Sequence, residues 1–212
     1  MMARIILLVL LFIDLKVFSQ QSAVFYDPEL QYQTGLDLLN KQKFGAAQME
    51  FQKILDSREN ISVTTRGNSS YYIAKCASEL FNKDAEYLLI SFLNQYPGNP
   101  NYQSAVFELG NYYYRLKRYK NTIEWLAKVD QSELDVEKKD EINFKIGYSN
   151  YMINDYDKAS NAFYAMKDGN SKYATAAQYY YGHIAYVNGN YETALKSFLK
   201  LKDSEAFAPV VP

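Results

Sequence analysis

The side chains best able to do chemistry are scarce: one histidine, His183, and one cysteine, Cys76, among 212 residues. A zinc site needs several His or Cys ligands at short spacing, and His183 has none beside it, so its better use is a contact with a partner. Cys76 stands in Ile73-Ala74-Lys75-Cys76 with no adjacent base and no second thiol in the chain. It reads as a small hydrophobe rather than a nucleophile or half of an internal disulfide. The carboxylates Asp130, Glu133, Asp135, Glu137, Asp140 and Glu141 crowd one stretch, the pattern of a solvated helix end with acids near its N-terminus. Arg115, Lys117, Arg118 and Lys120 surround Tyr119, a basic group too small for nucleic acid but able to meet an acidic segment. Asn60-Ile61-Ser62 and Asn68-Ser69-Ser70 fit the glycosylation acceptor pattern, a short and unspecific match. There is no glycine loop to cradle phosphate and no nucleophile elbow. The chain reads as non-catalytic, without metal or small-molecule cofactor.

Those residues sit on a chain of ordinary globular composition, 48% apolar and 22% charged, in which 21 Tyr and 12 Phe are the excess. The 23 basic and 24 acidic residues nearly cancel, so the global positive field expected of a nonspecific nucleic-acid binder is missing. At the N-terminus Arg4 precedes an apolar run over residues 5–13, and Val17-Phe18-Ser19 stands ahead of Gln20. This pattern predicts a secretory signal peptide over residues 1–19 and a short mature segment over 20–27. The rival, a membrane anchor, needs about 20 mostly apolar residues, whereas Asp14 and Lys16 interrupt this run. Export to the periplasm or extracellular space is therefore expected, with membrane tethering as the alternative. No cysteine follows the cleavage point to accept a lipid.

Self-comparison exposes a repeat. Small residues recur at Gly35, Ala74, Gly110, Gly147 and Gly182, spaced by 39, 36, 37 and 35. A second series, Ala47, Ala85, Thr122, Ala159 and Ala194, follows the first by 12, 11, 12, 12 and 12. Large apolar residues stand four beyond it (Phe51, Leu89, Leu126, Phe163, Phe198) and seven beyond it (Ile54, Phe92, Val129, Met166, Leu201), offsets that share one helical face. Short polar joints such as Lys117-Arg118 and Asn188-Gly189-Asn190 divide each unit into two amphipathic stretches of about 12–18 residues, hence a helix hairpin. An aromatic follows the joint as Phe44, Tyr119, Tyr156 and Tyr191, placed to close the hairpin. Glycine inside a helix costs about 0.5–1 kcal/mol relative to alanine, so four glycines at one repeat position require close helix approach in return.

On these residues the chain resembles the tetratricopeptide repeat family, whose helix pairs run about 34 residues. The resemblance spans residues 28–203 in five units, near 28–66, 67–102, 103–139, 140–174 and 175–203. It departs where the family places a bulky residue four before the small one: Gln31, Ser70, Val106, Asn143 and Gln178 stand there, mostly polar. The implied fold is all-α, a right-handed α-α superhelix of about five helix-turn-helix repeats. One position later every unit is aromatic: Tyr32, Tyr71, Phe107, Phe144 and Tyr179. Two readings stand for this row. It wedges adjacent units together, or, as the family geometry implies, it lines a concave groove. Continuing that groove are Leu36, Lys75, Asn111, Tyr148 and His183, then Leu39, Ser78, Tyr114, Tyr151 and Tyr186, which makes the last two units densely aromatic.

After Leu201 the chain reads like the opening of a sixth unit, residues 204–212, and no polar capping helix is written. Either the product continues or a partner covers that end; the bare 212-residue chain is expected to self-associate there. The leading functional expectation is a scaffold or adaptor that holds protein or peptide segments of the bacterial cell envelope. The alternatives are a structural N-terminal arm of a longer repeat protein or an assembly factor for outer-membrane or envelope complexes, the roles of the periplasmic five-repeat proteins it resembles.

Overall fold

The computed structural model describes residues 27–202 and Ser204; the expected signal peptide and nearly all of residues 204–212 lie outside the described residues. Among the described residues ten helices follow one another: α1 (Pro28–Asn40), α2 (Phe44–Asp56), α3 (Val63–Glu79), α4 (Ala85–Gln95), α5 (Tyr102–Arg115), α6 (Tyr119–Leu126), α7 (Val136–Met152), α8 (Tyr156–Met166), α9 (Ala174–Val187) and α10 (Tyr191–Leu199). Each packs on its neighbours in sequence, and α3 also touches α5. This is the all-α, right-handed solenoid of helical hairpins that the repeat predicts. Odd-numbered helices open the units and even-numbered helices close them.

The small residues hold the hairpins shut. A Cβ built on Gly35 would stand 2.7 Å from the Phe51 ring, and one on Gly110 only 2.4 Å from Leu126 Cδ2. The same test puts Gly147 at 3.0 Å from the Ala162 Cβ and Gly182 at 2.8 Å from the Ser197 Cβ. In these four units the closing helix thus sets a large side chain against the notch of the opening helix, with the Phe163 ring 3.2 Å from the Gly147 position and the Phe198 ring 3.0 Å from that of Gly182. Ala74 serves at the corresponding point of the second unit and is fully buried. The second small series, Ala47, Ala85, Thr122, Ala159 and Ala194, is buried throughout, as are the large residues four and seven beyond it. Burying such side chains contributes about 1.5–3 kcal/mol each.

The joints share a conformation that the polar composition alone does not announce. Seven residues beyond the first small position, Gln42, Phe81, Lys117, Asn154 and Gly189 all take positive φ, between 56° and 77°. In every case that residue donates its N–H to the carbonyl three back and the next residue to the carbonyl five back, as in Lys117 to Tyr114 and Arg118 to Tyr113. This left-handed cap satisfies the orphan carbonyls of the opening helix. Only Gly189 is the residue type that pays no steric penalty for it. Helix starts are secured more variably: Asp27, Ser62, Asp135 and Asp155 accept from first-turn N–H groups.

Four of the five closing helices are shorter than the amphipathic stretches suggest, from 8 residues in α6 and 9 in α10 to 11 in α4 and α8, while α2 keeps 13. After Leu126 the chain tightens, Lys128 donating to Trp125 and Val129 to Leu126. That tightened turn still drops Val129 into the core, so the apolar pattern outlasts the α-helix.

The two ends differ. Inner opening helices meet the preceding unit through residues five before, one before and two after the small residue. Ser69, Ala105, Ile142 and Ala177 are fully buried at the first of these positions, and Cys76, Tyr112, Ser149 and Ile184 are buried at the last. In α1 the same three positions are Leu30, Thr34 and Asp37, all exposed. Asp37 is paired with Lys41 and the Thr34 hydroxyl donates to the Leu30 carbonyl. At the other end α9 and α10 leave Tyr186, Val187, Tyr191, Leu195 and Leu199 open to solvent.

Candidate functional site

The aromatic row read from the sequence divides in the structure. Four of its members turn toward the closing helix of their own unit: Tyr32 lies 5.9 Å from Phe51, Tyr71 5.5 Å from Phe92, Phe144 5.8 Å from Phe163 and Tyr179 6.1 Å from Phe198, centroid to centroid. Tyr71 is buried, and burial pushes its hydroxyl far above the ordinary phenol range. Packing is therefore what this row does first. Phe107 instead borders a cleft of about 260 Å³ with Tyr71, Lys75, Glu108, Leu134 and Lys138. The Lys138 ammonium sits 3.7 Å above the Phe107 ring, and Lys75 reaches Glu108 at 3.5 Å.

The second and third rows converge on α5, α7 and α9. Tyr148 is the hub: its ring lies 5.9 Å from Tyr114, 6.0 Å from Tyr119, 6.3 Å from Phe144 and 6.3 Å from Tyr151. Tyr151 continues the chain of rings to His183 at 5.6 Å, where its hydroxyl and His183 Nδ1 share a hydrogen bond of 3.1 Å. Tyr179 flanks His183 at 6.3 Å. Tyr114, Tyr148, Tyr151, Tyr179 and His183 are half-buried, while Tyr186 is exposed and rests edge-on against Tyr191. Each such ring pair is worth about 0.5–1.5 kcal/mol beyond area burial, so the network is rigid as well as amphipathic. Burial also pushes the Tyr114 and Tyr151 hydroxyls up, keeping them neutral donors.

A residue missed in the sequence completes this surface. Tyr180 stacks on Phe163 of the preceding unit at 5.4 Å and 23°, and touches Tyr148 at 5.2 Å and Tyr151 at 5.0 Å. Burial pushes its hydroxyl up to about 12. Tyr72 makes the same inter-unit stack on Phe51 at 5.0 Å and 22°. Both are the second tyrosine of a Tyr-Tyr pair two before the small residue, a doubling visible in the sequence but masked by Gln33, Glu108 and Lys145 in the other units. Tyr119, read as closing its own hairpin, also reaches across to the next unit through Tyr148.

Polar groups flank the rings. Lys145 donates to Glu141 and to Asn111 Oδ1, both at 2.6 Å, and Lys138 reaches Glu141 at 3.1 Å. Burial raises the Glu141 carboxyl, but these two lysines outweigh it and hold the group below its ordinary range. Arg115 and Arg118 of the basic group are occupied by Glu79 and Glu86. Cys76 is buried and its thiol is pushed up by burial to about 11, so it stays protonated near neutrality. Of the two acceptor motifs, Asn60 is exposed, whereas the Asn68 amide is engaged with Asn99, Asn101 and Tyr32. Among the described residues no three His, Cys, Asp or Glu side chains are gathered to hold a metal ion, and no helix is long and apolar enough to cross a membrane.

No family model and no curated protein sequence matches the chain. Among solved structures the fold is similar to MamA AMB-1, with a TM-score of 0.66 at 16% identity over 86% of this chain and 97% of that one. A MamA from Desulfovibrio magneticus RS-1, residue 41 to the end, superposes with a TM-score of 0.64 at 15% identity over 84% and 95% of the two chains. Another MamA crystal structure gives 0.63 at 19% identity over 86% and 94%. At these identities the likeness is one of architecture: a solenoid of paired helices of the tetratricopeptide-repeat type.

Proposed function

We propose that the chain is a non-catalytic interaction scaffold that holds an extended segment of another protein along its opening helices. The observation that carries this reading is the ring network from Tyr114 through Tyr148 and Tyr151 to His183, half-exposed and locked in place before any partner arrives. Preorganised aromatics anchor a partner at low cost in side-chain entropy, and their hydroxyls set its register. Tyr114, Tyr148, Tyr151, Tyr179, His183 and Tyr186 form the main contact, with the Phe107 cleft between Lys75 and Lys138 as its continuation toward the N-terminal units. Tyr32, Tyr71 and Phe144 support the surface from below rather than meeting the partner alone. In this reading the protein works in the cell envelope after export, and its partners are envelope proteins or peptide segments of them.

The reading is tested by chemical cross-linking and capture from envelope fractions with a Tyr151→Ala, His183→Ala, Tyr186→Ala triple variant. These three sites leave Tyr148 itself in place, and an unchanged helical circular dichroism is the folding control. Loss of the captured species supports the groove; unchanged capture discards it. Fractionation of the native gene product tests the location: recovery in the cytosol with residues 1–19 still attached would overturn export.

A further inference from the structure

We infer that the open face of α9 and α10 is a self-association surface, on which a second copy of the chain docks in antiparallel, two-fold fashion about Leu195. Three repeat positions define the face. The fourth residue after the first small position is Leu39, Ser78, Tyr114 and Tyr151 in the inner units, all at least half-buried; its equivalent Tyr186 is 56% exposed. The residue three before the second small position is Phe44, Asn82, Tyr119 and Tyr156, all half-buried; its equivalent Tyr191 is 65% exposed. The residue just after that small position is Gln48, Glu86, Ile123 and Ser160, again half-buried; its equivalent Leu195 is 58% exposed. Each inner unit shields these positions with the next opening helix. In the fifth unit they are Tyr186, Tyr191 and Leu195, an aromatic and apolar strip that nothing among the described residues covers, while Leu199, 55% exposed, extends it by one turn.

The other end of the molecule cannot be the occupant. Head-to-tail stacking would seat α1 on this face, yet α1 presents Thr34 and Asp37 where inner opening helices present Ile73, Leu109, Ile146 and Tyr181, then Cys76, Tyr112, Ser149 and Ile184. Burying Asp37 against leucine and tyrosine would strand a carboxylate.

The charges on α10 select the orientation. Glu192, Lys196 and Lys200 lie along one flank of the Leu195 strip. At about 1.5 Å of rise per residue, Glu192 stands about 4.5 Å before Leu195 along the axis, Lys196 about 1.5 Å after it and Lys200 about 7.5 Å after it. A two-fold axis at Leu195 reverses the partner helix and sets Glu192 of each copy between Lys196 and Lys200 of the other. Parallel two-fold docking would instead carry this flank to opposite sides of the helix pair, where Glu192 meets neither lysine of the other copy. Within one copy Glu192 already pairs with Lys196 at 2.7 Å and Lys200 with Asp168 at 2.8 Å; both pairs are exposed and free to be shared across the axis.

Sedimentation equilibrium of the full 212-residue chain across a concentration series tests the inference, with circular dichroism as the folding control. The expected result is a reversible monomer–dimer equilibrium without larger species. Leu195→Glu, on an exposed site, should weaken the dimer at least about tenfold, and Glu192→Lys should weaken it by a comparable factor. The double reversal Glu192→Lys with Lys196→Glu keeps the intrahelical pair and should recover much of the loss. A chain monomeric at every concentration, as when its own residues beyond Ser204 or nothing at all occupy the face, overturns the proposal. So does an open-ended series of larger species, or a dimer indifferent to Leu195→Glu.

Discussion

The first and last units share one hairpin design and differ in how they meet the outside. In the first, α1 turns Thr34 and Asp37 outward and satisfies them within its own helix. In the last, α10 turns Tyr191, Leu195 and Leu199 outward. Stacked repeats bury a continuous core only while another unit follows, so a polar outer face ends an array and an apolar one invites a neighbour. The comparison separates residues that fold a unit, which both ends keep, from residues that join units, which only one end has traded for polar ones.

The sharpest contrast is in the notch residues. Phe51 is fully buried, with Tyr32 and Tyr72 on its ring, and Phe51→Ala should cost about 3–5 kcal/mol in urea unfolding. Phe198 fills the equivalent notch with no following unit behind it among the described residues, so in this chain Phe198→Ala should cost about half as much; equal losses would erase the difference between the ends. Next in size, Thr34→Ile with Asp37→Leu gives the first unit the joining residues it lacks. Light scattering should then report species larger than a dimer, because both ends have become adhesive.

A third test uses pH. Burial raises the Tyr114 and Tyr180 hydroxyls above the ordinary phenol value near 10, Tyr180 to about 12. The folded state therefore keeps protons that the unfolded chain releases. Stability from these groups is fully present below pH about 10 and is lost as pH rises toward 12. Glu141 works in the opposite sense: its lowered value contributes stability above the ordinary carboxylate range that is lost as pH falls through it. Thermal unfolding followed against pH, with Glu141→Gln as control, should show both flanks, the acid one flattened in the variant.

The smallest effects belong to the joints. Lys117→Gly should stabilise by about 0.5–1 kcal/mol by relieving positive φ, and Gly189→Ala should destabilise by about the same amount.

These cases also show what the sequence could express. The notches were legible because a glycine in a helix and a phenylalanine sixteen residues later are costly choices repeated at one spacing, as in Gly35 with Phe51 and Gly182 with Phe198. The left-handed joint residues were not, since Gln42, Phe81 and Lys117 carry no preference for that conformation and are held in it by the helices on either side. The aromatic row was visible but its direction was not: a tyrosine at Tyr71 and one at Tyr151 look alike until a neighbour at Phe92 or His183 decides which is buried. Tyr180 was hidden by its own regular neighbour, Tyr179. The scarcity of chemistry, by contrast, needed only the count of one histidine and one cysteine.

The central claim, that partners dock on the aromatic surface of the opening helices, is tested most directly by a photo-crosslinking amino acid placed singly at His183 and, as a control, at Tyr87, an exposed site on a closing helix. In envelope fractions the account predicts a discrete adduct from the first position, competed by excess unlabelled protein, and none from the second. Equal labelling from both positions, or an adduct from Tyr87 alone, would contradict it.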